Sequence, residues 1–122
     1  MNRETKILRM IYRELNTKAF NGKLPMCDIQ YVNLPDEDWY ASFYFYMKPM
    51  TIAINKPYID NHISMLKETI LHEMVHVWQY VKDKEMLHNK SFFRMLRKAC
   101  KDANITFDER YFQYIKKTNY TF

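Results

Sequence analysis

The chain has 122 residues, a formal net charge of +5, and a composition that is 48% hydrophobic, 16% aromatic and 27% charged. That length and apolar content predict one folded domain spanning residues 1–122 and exclude a disordered tail, a collagen-like repeat and a low-complexity linker. No apolar run is long enough to cross a bilayer, and the opening Met1-Asn2-Arg3-Glu4-Thr5-Lys6 has no hydrophobic core of a secretory signal, so a cytoplasmic location is expected.

Residues 3–19 predict an amphipathic helix, with Ile7, Ile11, Leu15 and Ala19 at four-residue spacing. Phe20-Asn21-Gly22-Lys23-Leu24-Pro25 ends it, because glycine and proline in that order stop helices. Three short strands follow. Cys27 to Val32 is the first, and Pro35-Asp36-Glu37-Asp38 is a turn. Trp39 to Met47 alternates, with Trp39, Ala41, Phe43, Phe45 and Met47 on one face and Tyr40, Ser42, Tyr44 and Tyr46 on the other. After Lys48-Pro49 comes Met50 to Asn55. Their close spacing predicts a mainly antiparallel sheet.

Beyond Pro57 the period changes to that of a helix running from Ile59 to Val81, its stripe formed by Ile59, Ile63, Leu66, Ile70, Met74, Val77 and Val81. A charged connection, Lys82-Asp83-Lys84-Glu85, leads to a helix over 89–103 with Phe92, Leu96, Ala99 and Ala103 inward. Thr106-Phe107-Asp108-Glu109 has the form of a capping box, predicting a last short helix to about residue 117. A helix, three strands and then helices make an α+β domain. Cys27 and Cys100 are expected to be reduced core thiols, and two cysteines cannot build a four-cysteine zinc ribbon.

The segment that carries chemistry is His72-Glu73-Met74-Val75-His76. Residues four apart on a helix lie one above the other, so both imidazoles can reach one ion, and Glu73 between them projects to the side where it can take a proton from water. Zinc suits neutral imidazole nitrogens. The two histidines lie about 220° round the helix from the first-named stripe, while Leu71, Val75 and Trp78 make a second side apolar, so the pair needs a polar cleft. A catalytic zinc usually takes three protein ligands. Candidates for the third are His62, His88, Glu85, Asp102 and Glu109. His62 lies ten residues before His72, about 15 Å along one helix axis and too far away. His88, after the charged connection, can fold back under the pair and is the favoured ligand; its alternative role is to cap the following helix.

At this point the chain resembles the SprT-like zinc metalloprotease domain family (the Spartan/SprT group). The likeness runs through Phe20-Asn21-Gly22-Lys23-Leu24-Pro25, the strand Ile52-Ala53-Ile54-Asn55, the segment Thr69-Ile70-Leu71-His72-Glu73-Met74-Val75-His76, and His88 four residues before Phe92. It implies that His72, His76 and His88 bind Zn²⁺, that Glu73 is the catalytic base, and that the substrate is a protein or peptide, including DNA-associated or DNA-crosslinked protein. The family usually has glycine after the third histidine, where this chain has Asn89. The metzincin pattern is excluded, since Gln79 and Lys82 stand where it needs glycine and histidine.

Lys90, Arg94, Arg97, Lys98 and Lys101 on one helix, with Lys6, Arg9 and Arg13 on the first, are candidate contacts to DNA phosphates. Tyr40, Tyr44 and Tyr46 could stack bases or simply cover the sheet. A substrate strand is expected to add to a sheet edge at Thr51 to Asn55. Rival classes are a zinc protein whose metal is only structural, a DNA-binding module with a vestigial protease site, and a hydrolase acting on something other than protein. Structural zinc has no use for Glu73.

Overall fold

The computed structural model describes residues 2–107. The elements are α1 (Arg3–Phe20), β1 (Asp28–Val32), β2 (Ala41–Tyr44), β3 (Thr51–Asn55), α2 (Lys56–Ile59), a 3-10 segment (Asp60–Met65), α3 (Leu66–Asp83) and α4 (Lys90–Asp102). The α+β class is as the sequence implied. The last predicted helix, to about residue 117, lies outside the described residues. No helix among them is long and apolar enough to cross a membrane.

Helix α1 opens on Asn2, whose side-chain oxygen accepts from the Thr5 backbone N–H at 2.8 Å. It closes with Asn21 and Gly22 at positive φ, 53° and 71°. Its core face is Leu8, Tyr12, Leu15 and Ala19, while Ile7 is 45% exposed. The predicted stripe was rotated for a geometric reason. Each four-residue step overshoots a full turn by about 40°, so a strict four-residue row walks round the helix and leaves the core at one end. The chain after α1 is tied back by buried Asn16, which bonds both the N–H and the carbonyl of Leu24, and by the Tyr12 hydroxyl, which donates to Pro25 O at 2.6 Å.

The sheet is mixed, in the order β1-β3-β2. β1 runs parallel to β3 with Ile29 opposite Ile52, and β2 runs antiparallel to β3 with Phe43 opposite Ile52. This corrects the mainly antiparallel expectation. β3 is buried along its whole length, and a strand that is apolar on both faces belongs in the middle, where both edges are paired. The strand-addition site expected at Thr51 to Asn55 is therefore overturned, since the sheet's outer edges belong to β1 and β2. β2 is also shorter than the alternation suggested. Pairing ends at Tyr44 opposite Thr51, and Phe45, Tyr46 and Met47 turn outward into solvent. The tyrosines make no common platform: Tyr40 packs edge-on to Tyr58 at 4.8 Å, and Tyr44 meets Tyr46 at 5.8 Å.

Asn55 holds the loop that crosses from β1 to β2. Its side chain accepts from Leu34 N and donates towards the carbonyls of Leu34, Glu37 and Trp39 at 3.0–3.3 Å. Removing it strands several polar groups at once. Asn55→Ala is expected to lower the unfolding free energy by about 2 kcal/mol, read as a lower urea midpoint at unchanged slope.

The long helix predicted from Ile59 is broken. His62 has φ −141° and ψ 47°, outside the helical region, and Ile63 is 60% exposed. α3 begins only at Leu66, and from Glu68 to Val77 every residue is buried. It packs against α1, α4 and β2, while α1 covers β1. α4 turns in Phe92, Phe93, Leu96, Ala99 and Cys100. Cys27 and Cys100 are free, buried thiols, and burial raises both, Cys100 to about 12.

Candidate metal centre

His72 and His76 lie one turn apart on α3, with ring centroids 5.0 Å apart. His88 sits in the turn before α4, and the packing of α4 on α3 delivers it to them. Its Nε2 is 3.2 Å from His76 Nε2 and 3.3 Å from His72 Nε2. Ligand nitrogens of the three lie within 4.8 Å of one another. All three side chains are buried. Three donors held by one ion at about 2.0–2.1 Å in a tetrahedron stand about 3.3–3.4 Å apart, close to the spacing of His88 from each of the other two. A proton on one Nε2 could serve only one neighbour, whereas a cation at the centre satisfies three lone pairs together. The residues present fit a zinc-like ion.

Phe92 is the floor of this cluster. Its ring stacks on His76 at 4.6 Å and lies edge-on to His72 and to His88, each at 5.0 Å. The sequence marked Phe92 as core, and the structure adds that it fixes the imidazole planes. His88 does not cap α4. That role belongs to Asn89, whose side chain accepts from Phe92 N at 2.9 Å. Asn89 has φ −97° and ψ −176°, ordinary extended backbone, so the turn has no need of the glycine usual in the family.

Burial lowers His76 to about 4, and burial together with neighbouring His76 lowers His88 to about 3. Both imidazoles are thus neutral at pH 7, the state in which they can bind a metal. Glu73 is 1% exposed, and neither carboxylate oxygen has a hydrogen-bond partner among the described residues. Burial raises its carboxyl well above the ordinary range. Its Oε2 lies 3.9 Å from His72 Nε2. A carboxyl left unsatisfied beside three convergent donors stands where a water could be held and deprotonated.

The rival ligands fall away on position. His62 is exposed, with Nδ1 3.3 Å from Tyr58 O. Glu85 is exposed beyond α3, and Asp102 receives a 2.7 Å bond from Lys98 at the far end of α4. Glu109 lies outside the described residues.

Gln79 is the polar neighbour that sequence reasoning passed over, naming it only to exclude another motif. It is 2% exposed, and its Oε1 is 3.1 Å from His76 Nδ1. On the helix wheel it falls about 20° from His72, and that shared arc was the available signal.

The model of the SprT-like family matches residues 8–114. The chain belongs to the SprT-like family. No curated protein and no solved structure matches it. The family is one of metallopeptidase-like domains, and in this SprT-like chain three histidines that could hold a metal lie within the match.

The cationic residues of α4 spread over different surroundings. Lys90 and Lys101 are exposed, and Arg97 lies over the Phe107 ring at 5.7 Å. Arg94 and Lys98 border a shallow groove of about 240 Å³ with Lys82, Ser91, Trp78 and Met95. On α1, Arg9 pairs with Asp28 at 3.7 Å, and Lys6 and Arg13 are exposed.

Proposed function

We propose that this chain is a zinc-dependent endopeptidase. His72, His76 and His88 hold the ion and Glu73 is the general base. The observation that carries the reading is the convergence of three imidazole Nε2 atoms, with His76 and His88 held neutral by burial, beside a buried carboxylate that has no hydrogen-bond partner among the described residues. Bound there, zinc supplies Lewis-acid chemistry: it acidifies water and polarises a carbonyl. Glu73 takes the proton of the attacking water and passes it to the leaving amine, and its raised proton affinity suits a group that must hold that proton between the two steps. A structural zinc site closes with four protein ligands. Here the group brought together among the described residues has three.

The substrate is a protein segment in extended form. Asn55 N donates to Tyr40 O at 2.8 Å, which sets the alternation along β2: Tyr40, Ser42 and Tyr44 turn their backbone groups to β3. Ala41 and Phe43 turn theirs outward, on the strand that packs against α3. These groups offer main-chain bonds to an incoming strand, in place of the edge first expected on β3.

The test is zinc per chain by elemental analysis, with cleavage of an unfolded protein before and after chelation. About one zinc, and cleavage lost on chelation and regained with zinc, supports the reading. A chain that takes up no zinc at neutral pH overturns it.

A nucleic-acid contact is proposed alongside, which would direct the enzyme to DNA-associated proteins. It rests on the groove between α3 and α4. Lys82 Nζ lies 5.0 Å from the Trp78 ring centre, and Arg94 and Lys98 stand on the same rim. An aromatic floor under cations fits an unpaired base and its phosphates. Trp78→Ala is expected to weaken binding of a fluorescent single-stranded oligonucleotide about tenfold. Arg94→Ala with Lys98→Ala should reduce the salt slope by about 0.7 per lost contact. Unchanged affinity and slope in these variants would remove the nucleic-acid reading and leave the peptidase reading intact.

A further inference from the structure

We propose that Gln79 is the positioning residue of the metal centre: it holds the His76 proton on Nδ1, leaving the Nε2 lone pair for the ion, and it ties down the turn that presents His88. This rests on the metal reading above and extends it from the ligands to what aims them.

Gln79 Nε2 donates to Leu87 O at 2.9 Å and makes a longer contact, 3.4 Å, to Asn89 Oδ1. Leu87 O can only accept. A flipped carboxamide would set oxygen against oxygen there, so the NH₂ group must face Leu87 and Oε1 must face His76. Oε1 also can only accept, so the 3.1 Å contact to His76 Nδ1 requires a proton on Nδ1. Neutral imidazole carries a single N–H, and His76 Nε2 is then bare. That bare nitrogen is the one that points at His88 Nε2, which itself lies 3.3 Å from His72 Nε2.

The same side chain acts on the second element. Leu87 and Asn89 are the two neighbours of His88, and Gln79 reaches both. Asn89 uses the same Oδ1 to cap α4 through Phe92 N. One buried carboxamide therefore connects the α3 ligand, the His88 turn and the first turn of α4. Polar partners of this kind behind a ligating histidine typically account for about 10–100-fold in metal affinity.

Two substitutions separate the two grips. Gln79→Met keeps the length and removes both polar ends. Gln79→Glu keeps an acceptor for His76 and loses the donor to Leu87. The first reading is the nitrogen-15 spectrum of the imidazoles in metal-free, full-length protein at neutral pH, which reports which nitrogen carries the proton. The second is zinc affinity by competition with a chromophoric chelator. The wild type is expected to show His76 protonated on Nδ1. Gln79→Met should move the proton towards Nε2 and weaken zinc binding about 10–100-fold. Gln79→Glu should restore the Nδ1–H form and recover part of the affinity, which a purely structural role would not do. Wild-type protein with the His76 proton on Nε2 overturns the proposal without recourse to any variant. So does a folded Gln79→Met protein whose tautomer and affinity match wild type. A wild type that takes up no zinc instead defeats the metallopeptidase reading, and the tautomer spectrum still decides what Gln79 does.

Discussion

Glu73→Gln is expected to abolish peptide cleavage while zinc per chain stays at the wild-type level. The loss should be at least about 10²–10⁴-fold in kcat/KM, the usual contribution of a positioned acid–base group. Zinc is retained because the Nε2 triangle of His72, His76 and His88 does not include the carboxylate. Equal cleavage by the variant would remove Glu73 from the mechanism, and loss of zinc would make it a ligand. The substitution also has a stability signature. Burial raises the Glu73 carboxyl in the folded chain, so its favourable contribution is complete below the unfolded value of 4.5 and is lost as pH rises through the folded one. His76 and His88 have the opposite sign. Their folded values, about 4 and about 3, lie below the unfolded 6.5, so their contribution is complete above 6.5 and is lost as pH falls towards those values. Of these three groups, therefore, only Glu73 costs the metal-free wild type stability at neutral pH. Glu73→Gln removes that cost. The metal-free variant should melt above metal-free wild type at pH 7, with the difference closing below pH 4.5.

His88→Ala has the second largest expected effect, and it falls on the metal. A zinc site with four ligands binds with about 10–16 kcal/mol, so losing one ligand of comparable strength costs on the order of 10²–10³-fold in affinity. Dialysis against a mild chelator should leave about one zinc per wild-type chain and strip the variant. His62→Ala is the control: that ring is exposed, bonds to Tyr58 O, and its loss should leave zinc content unchanged. Full zinc in His88→Ala would hand the third position to another group and break the three-histidine assignment.

The two substitutions sit on opposite sides of what a linear chain can show. His72, Glu73 and His76 are legible because they lie within a single helix, where spacing alone determines which side chains share a face. His88 was the favoured one of several candidates on spacing. Only the docking of α4 against α3, with Phe92 stacked on His76 and edge-on to His72, brings it within 3.2 Å of His76. Gln79 was present on the same arc of the same helix. What made it informative was its bond to Leu87, eight residues on and across the turn.

By itself the sequence determined the α+β class, the helix that carries the HExxH pattern, the buried thiols and the family likeness. These depend on period, composition and local spacing, which the chain carries wherever it folds. The tertiary structure decided the rest. It placed β3 between β1 and β2, because a strand apolar on both faces gains most where both edges are paired. It broke the predicted long helix at His62 and rotated the core face of α1 away from Ile7. It brought His88, of the third-ligand candidates, next to His72 and His76 and gave Gln79 a partner on each side. Each of those outcomes is a competition between distant segments for the same buried surface or the same hydrogen bond, and periodicity along one segment carries no record of which one wins.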